Sequence, residues 1–254
     1  MIIANKYKII ERIGNGEFGT IFKGENIRTR EPVAIKMEST ASETKMLKRE
    51  AQIYQYLGKT RTIGIPQVKW YGTLNEYNYM VLPLLGPSLS NNTFSLVDTF
   101  SIGKTITKIL QYIHSKGMIH RDVKPDNFVF GQNGESIYII DFGLCKKYKD
   151  DENNHIALRS GKTIIGTPNF VSVNMHNGLE PSRRDDMESV GYIMMYLINN
   201  ELPWATMREN TSIKTAKINT NINNPAISQY INYCRNLEFT KEPNYDYLLG
   251  ILQS

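Results

Sequence analysis

Apolar and polar positions alternate from Tyr7 to Gly14, where Tyr7, Ile9, Glu11 and Ile13 stand against Lys8, Ile10 and Arg12. This period of two predicts a strand. The glycine-rich stretch Gly14-Asn-Gly-Glu-Phe-Gly19 interrupts it, and Thr20–Glu25 reads as a second strand. A dinucleotide-binding turn would open a helix at this point. β-branched and aromatic residues follow instead (Thr20, Ile21, Phe22), so the expected unit is strand–turn–strand. Glycines let such a flap lie close over phosphates; a plain hairpin turn is the simpler alternative. Pro32–Met37 is a short apolar strand carrying one lysine, Lys36. Ser42–Tyr56 is helical in character, and Tyr77–Leu85 is an apolar run that ends in Gly86-Pro87. Ser101–Lys116 sets Ile102, Ile106, Ile109, Leu110 and Ile113 on one helical face. Another apolar run covers Ser136–Ile140, and an apolar helix covers Val190–Ile198. Residues 202–254 read as further helices, with a loop at Thr220–Asn224.

The chain has 254 residues, enough for one large domain or for two small lobes with cores of their own. Apolar and charged fractions of 41% and 22% are ordinary for a globular protein. No signal-like segment opens the chain, and no apolar run is long enough to span a bilayer, so no membrane association is expected. Cys145 and Cys234 are the only cysteines. Two in a chain this long give no disulfide framework, and a reducing, intracellular compartment is expected. The absence of a basic localisation run leaves cytoplasm and nucleus both open. A net charge of +5 admits an acidic partner. No stripe of aromatic residues interleaved with basic ones stands out, so a nucleic-acid partner is not expected. Neither an internal repeat nor a linker is visible, and a monomer is expected.

The chemistry-bearing residues concentrate in Ile119–Asn127, which reads I-H-R-D-V-K-P-D-N. One carboxylate, Asp122, is followed at short spacing by Lys124 and Asn127, and Asp141-Phe-Gly143 follows the next apolar run. The buried helix Ser101–Lys116 leads straight into this loop. Lys36 lies about 20 residues after the glycine stretch and needs a carboxylate to aim it. Glu50 is the first choice, because Ala51, Ile53, Tyr54 and Leu57 put the apolar face beside it; Glu43 is the rival. At the end of Tyr77–Leu85, Pro83 can offer only a carbonyl, while Leu85 can offer its N–H. Ile13, Ile21, Ala34, Leu82, Val129 and Ile140 are apolar candidates to sandwich a planar base, or equally ordinary core. Asp186, ahead of Gly191, is positioned either to brace the catalytic loop through backbone N–H groups or to cap its own helix.

Taken together, G-N-G-E-F-G, V-A-I-K, H-R-D-V-K-P-D-N and D-F-G resemble a eukaryotic protein kinase. Leu85–Leu89, Ile113–Lys116, His120–Phe128, Asp141–Leu144, Ser182–Ser189, Leu202–Trp204 and Asn244–Leu248 resemble the casein kinase I family more narrowly. Ser172-Val-Asn174 stands where that family replaces the usual A-P-E tripeptide with S-I-N. The resemblance covers nearly the whole chain. It implies an α+β, bilobal protein kinase fold over residues 1–254. The N-lobe would be small and β-rich with one main helix (about 1–83), the hinge about 83–87, and the C-lobe larger and mostly helical (about 88–254). It implies ATP and Mg²⁺. Asp122 would be the catalytic base and Lys124 would contact the γ-phosphate, with Asn127 and Asp141 holding the metal. Lys36, paired with Glu50, would bind the α- and β-phosphates. Gly14, Asn15, Gly16 and Gly19 would cover the phosphates, and Ile13, Ile21, Ala34, Leu82, Pro83, Leu85, Val129 and Ile140 would hold the adenine.

The resemblance further implies a serine/threonine kinase acting on protein sites with an acidic or phosphorylated residue upstream. Lys146–Lys162 would be the start of an activation segment, ending in a substrate-facing Thr167. Arg159, Lys162, Arg183 and Arg184, if they converge, would form a fork-shaped anion site; the alternatives are solvated basic residues, or Arg184 paired with a nearby aspartate. A further basic contact falls near Lys214 and Lys217. The family's regulatory tail has no counterpart, from which constitutive activity is expected. A pseudokinase that binds nucleotide without catalysis is the alternative, and the presence of every residue the chemistry needs argues against it.

Overall fold

A computed structural model describes residues 1–16, 19–59, 64–90 and 92–253. Glu17 and Phe18, in the middle of the glycine stretch, lie outside the described residues. In chain order the elements begin with β1 (Ile2–Ile3), β2 (Tyr7–Gly16), β3 (Gly19–Asn26), β4 (Pro32–Ser39), α1 (Met46–Leu57), β5 (Trp70–Leu74) and β6 (Tyr77–Pro83). Next come α2 (Leu96–Ser115), β7 (Met118–Ile119), a 3₁₀ turn at Pro125–Asn127, β8 (Phe128–Phe130), β9 (Ile137–Ile139) and β10 (Lys146–Lys147). The chain ends with α3 (Val173–His176), α4 (Arg183–Asn199), α5 (Asn210–Asn219), α6 (Pro225–Asn236) and α7 (Tyr245–Ile251). These fall into two compact units, residues 1–87 with 129–143, and residues 88–128 with 144–254. Among the described residues no helix is long and apolar enough to cross a membrane.

In the first unit the six strands form an antiparallel sheet in the order β1-β2-β3-β4-β6-β5. Side-chain alternation gives the sheet two faces. Ile3, Tyr7, Val33, Ile35, Tyr79 and Val81 pack together on one. The register pairs Ile21 with Lys36, Lys36 with Met80 and Ala34 with Leu82, so these residues share the other. Helix α1 begins at Met46, later than the apolar pattern from Ser42 predicts. The reason is an acceptor outside the helix: Glu38 at the end of β4 takes the N–H groups of Met46 (2.7 Å) and Leu47 (3.0 Å). The helix starts where those orphan donors are satisfied.

The second unit is built around α4. Its residues are buried from Arg183 to Met195, and it packs against α2 and α6. Gly191 makes the second contact possible, since a Cβ there would lie 2.2 Å from Ile231 Cγ1. Helix α2 starts five residues before the predicted Ser101, because Ser95 caps it by accepting the Asp98 N–H (3.1 Å). Its first turn is exposed at Leu96 and Val97, so the apolar face is visible only further along. The region after residue 202 is helical as expected, in α5, α6 and α7.

Candidate active site

Strand β4 and helix α1 set the charged groups of the first unit. Lys36 Nζ lies 2.7 Å from Glu50 Oε2 and 3.3 Å from Asp141 Oδ1. Glu50, not its rival Glu43, is thus the partner. The lysine is 8% exposed and the glutamate 1%. Burial pulls the lysine pKa down, but the carboxylates of Glu50 and Asp141 outweigh it and hold the lysine above its ordinary value. The ammonium is therefore fixed as a cation beside two carboxylates. Asp141 adopts a left-handed φ of 64°, which L residues rarely occupy. Its conformation is held from α1. Tyr54 Oη accepts the Asp141 N–H (3.0 Å), and Glu50, one turn earlier, accepts the Phe142 N–H. The Tyr54 and Phe142 rings meet edge to face at 4.7 Å.

The groups of the second unit come from the loop between β7 and the 3₁₀ turn. Asp122 Oδ1 accepts both the N–H (3.0 Å) and the hydroxyl (2.8 Å) of Thr167. Lys124 Nζ lies 2.8 Å from Asp122 Oδ2 and donates to Thr167 Oγ1 at 2.9 Å. Asn127 Nδ2 donates to the Asp122 carbonyl (2.8 Å) and to Oδ2 (3.1 Å). Asp122, Lys124 and Asn127 therefore converge, with the Thr167 hydroxyl between carboxylate and ammonium. Gly166, at φ +89°, permits this approach, because a Cβ would lie 2.5 Å from the Arg121 carbonyl.

Asp186, at the start of α4, fixes the loop from behind. Its carboxylate accepts the His120 N–H (2.7 Å), the Arg121 N–H (2.9 Å) and a hydrogen bond with His114 Nε2 (3.0 Å). Burial disfavours its charge, but His114 and these N–H donors win and keep its pKa below the ordinary value. The N–H bonds are the bracing arrangement expected from its spacing. They help hold Arg121 at a φ of 70°.

The remaining candidates divide. Ile21, Ala34, Leu82, Pro83, Leu85 and Ile140 are half-buried, Ile13 is exposed and Val129 is buried. Gly14 and Asn15 pair with Ile21 and Thr20, and Gly16 with Gly19, at the β2–β3 end. The four cations of the expected anion site are not brought together. Arg183 is 7% exposed, lies over the Tyr148 ring, and donates to Tyr148 Oη and the Thr240 carbonyl, with Glu242 at 3.4 Å. Arg184 donates to the Leu237 carbonyl and lies 3.9 Å from Asp185. Both are turned inward, onto the carbonyls of Thr240 and Leu237 and the rings of Tyr148 and Phe239. Arg159 is exposed, and its carbonyl accepts the Glu180 N–H. Lys162 faces a small cavity lined also by Arg121, Lys146 and Glu180. Sequence reasoning gave no role to Arg121, Lys146, Tyr54 or Glu38, although Arg121 lies within the I-H-R-D motif and Tyr54 one helical turn from Glu50.

Hard oxygen donors suit Mg²⁺. Asp141 offers a partly exposed carboxylate, and both Nδ2 bonds of Asn127 go to Asp122, which fixes the orientation of its amide oxygen. The donor chemistry fits the metal implied by the motifs.

The protein kinase domain family model matches residues 7–245. The chain therefore belongs to the protein kinase family, with the α+β fold of that domain, and its enzymatic class is phosphoryl transfer to protein.

Proposed function

We propose that this chain is an active serine/threonine kinase of the casein kinase I type, using ATP and Mg²⁺ on sites that follow acidic or phosphorylated residues. Its single kinase domain would have an N-lobe of about 1–83, a hinge at 83–87 and a C-lobe of about 88–254. The observation that carries the reading is the Lys36–Glu50 pair at 2.7 Å with Asp141 alongside. Protein kinases need that ion pair and the metal-binding aspartate in place together. In this reading Lys36 holds the α- and β-phosphates beneath the Gly14–Gly19 turn. Ile13, Ile21, Ala34, Leu82, Val129 and Ile140 hold the adenine, with backbone groups of Pro83 and Leu85 at its edge. Asn127 and Asp141 hold Mg²⁺, which neutralises charge on the phosphates. Asp122 accepts the proton of the substrate hydroxyl, and Lys124 balances charge on the γ-phosphate. The Thr167 hydroxyl, bridging Asp122 and Lys124, supports an alcohol of serine or threonine type as the acceptor.

The preference for acidic or primed sites rests on the cavity at Lys162. Among its lining residues three cations, Arg121, Lys146 and Lys162, face one carboxylate, Glu180. Glu180 lies 2.6 Å from Lys146 and 3.7 Å from Lys162. Burial opposes the glutamate's charge, but the Lys146 hydrogen bond and the charges of Lys146, Lys162 and Arg121 together outweigh it and lower its pKa. The cavity keeps an excess of positive charge suited to a phosphate or carboxylate. Arg183 and Arg184 are not part of this site.

Transfer of phosphate from ATP–Mg²⁺ to casein and to matched serine peptides, with and without upstream phosphoserine, tests the reading. Asp122→Asn is expected to lower kcat by about 10³-fold while ATP still binds. Lys162→Glu is expected to weaken use of the primed peptide selectively. ATP binding without transfer in the wild type would favour a pseudokinase. Equal loss on both peptides would remove the anion site.

A further inference from the structure

A buried lysine stands outside the machinery described so far. Lys217, on α5, is 1% exposed. Its Nζ contacts the Pro168 carbonyl (2.8 Å), the Val171 carbonyl (2.6 Å) and His176 Nε2 (3.1 Å). It lies over the rings of Tyr192 (4.7 Å) and Trp204 (5.6 Å). Trp204 Nε1 donates to the Asn169 carbonyl at 2.9 Å. The carbonyls of residues 168, 169 and 171 are thus all held from one side. The segment they belong to begins at Thr167, whose hydroxyl touches Asp122 and Lys124.

Two of the ammonium's three N–H donors meet the Pro168 and Val171 carbonyls, and the third faces His176 Nε2, which itself lies 3.2 Å from the Pro168 carbonyl. Among the described residues no carboxylate hydrogen-bonds to it directly. The charged groups nearby are Glu188 on α4 and Arg235 on α6, paired with each other at 3.0 Å. His176 on α3 and Tyr192 on α4 complete the surroundings, with Lys214 acting on His176. A buried cation without a direct counter-ion costs stability. The return is a backbone held in one conformation.

We propose that Lys217 is a positioning residue that holds Pro168–Val171 in the conformation that receives the substrate peptide, so that it sets affinity for peptide and leaves ATP use unchanged. The proposal rests on the kinase reading above. Titration gives an independent handle. Burial lowers the Lys217 pKa to about 7, while burial and Lys217 hold His176 near 4. As pH rises through about 7, the ammonium loses its proton and one donor, and His176 stays neutral throughout.

The test uses a serine peptide primed by glutamates, which do not titrate between pH 6 and 8. Peptide KM, ATP KM and kcat are measured for the wild type, Lys217→Met and Lys217→Gln, and peptide affinity is read separately by fluorescence anisotropy. Lys217→Met is expected to raise peptide KM about ten-fold, the scale of one lost charge-assisted hydrogen bond, with ATP KM and kcat within about two-fold. Lys217→Gln, which keeps two N–H donors, should fall between. Wild-type peptide KM should rise from pH 6 to pH 8, and the methionine variant should show no such rise. An unchanged peptide KM in a folded Lys217→Met, or equal changes in ATP KM, overturns the proposal. Should that variant not fold, the wild-type profile decides: a flat peptide KM overturns it and a rise at constant ATP KM supports it. Anisotropy separates the two readings. Peptide binding that depends on Lys217 without transfer indicts the kinase reading, and transfer with Lys217-independent binding indicts this one.

Discussion

Asp141 occupies a left-handed conformation at φ 64°, and such a residue persists only when its surroundings hold it. Tyr54 does so through one oxygen, which accepts the Asp141 N–H at 3.0 Å. Burial raises the Tyr54 pKa well above its ordinary value, so the phenol stays neutral. Tyr54→Phe keeps the ring against Phe142 and removes only the acceptor. The expected result is a loss of about 1–2 kcal/mol in urea unfolding, with kcat reduced several-fold as Asp141 is held less firmly. Unchanged stability and kcat would mean that Glu50 and Phe142 suffice. Lys36→Met makes a harsher change, since it leaves Glu50 buried without its cation. A variant with normal ATP affinity would remove Lys36 from the phosphate site.

At the scale of elements, β4 controls α1 by two links. Lys36 meets Glu50 in the helix, and Glu38, two residues along the same strand face, receives the first N–H groups. Glu38→Ala is expected to cost about 1 kcal/mol and to expose the amides of Met46 and Leu47 to faster hydrogen exchange. Glu38→Gln, which keeps an acceptor, should lose less; equal loss in both would show that charge, not hydrogen bonding, does the capping. This link also explains what was legible in the sequence. Lys36, Asp122, Lys124, Asn127 and Asp141 lie in contiguous motifs that stand out through their resemblance to a protein kinase, and the structure places Lys36 beside Asp141 and gathers Asp122, Lys124 and Asn127. The start of α1 was misread because its cap comes from a strand eight residues upstream. Arg183 and Arg184 were misread for a similar reason. Adjacent arginines at a helix start look solvated until residues 237–242 close over them. A lysine on a helix, such as Lys217, likewise looks exposed, because the rings and carbonyls that bury it come from distant parts of the chain.

At the scale of the whole molecule, two buried groups tie stability to pH in different windows. Asp186 has a folded pKa below its ordinary value. The contribution from its charge is complete above the unfolded pKa of about 3.9 and is lost as pH falls through the lower folded value. Lys217 acts at the other end. Its pKa falls from 10.5 to about 7 on folding, so between these values the unfolded chain holds a proton that the folded chain does not. Stability must then rise with pH across that window, by an amount on the order of a few kcal/mol. Urea unfolding at pH 6.5, 8 and 9.5 measures it: the wild type should gain stability relative to Lys217→Met as pH rises, and parallel curves would show that Lys217 is not titrating in the fold. The two consequences of this lysine run in opposite directions. Deprotonation relieves the cost of a buried cation, and the same event strips the charge from the hydrogen bonds to the Pro168 and Val171 carbonyls. A chain selected for stability alone would place an apolar side chain under Tyr192 and Trp204. Retaining a cation there fits a fold in which holding the substrate segment outweighs a few kcal/mol.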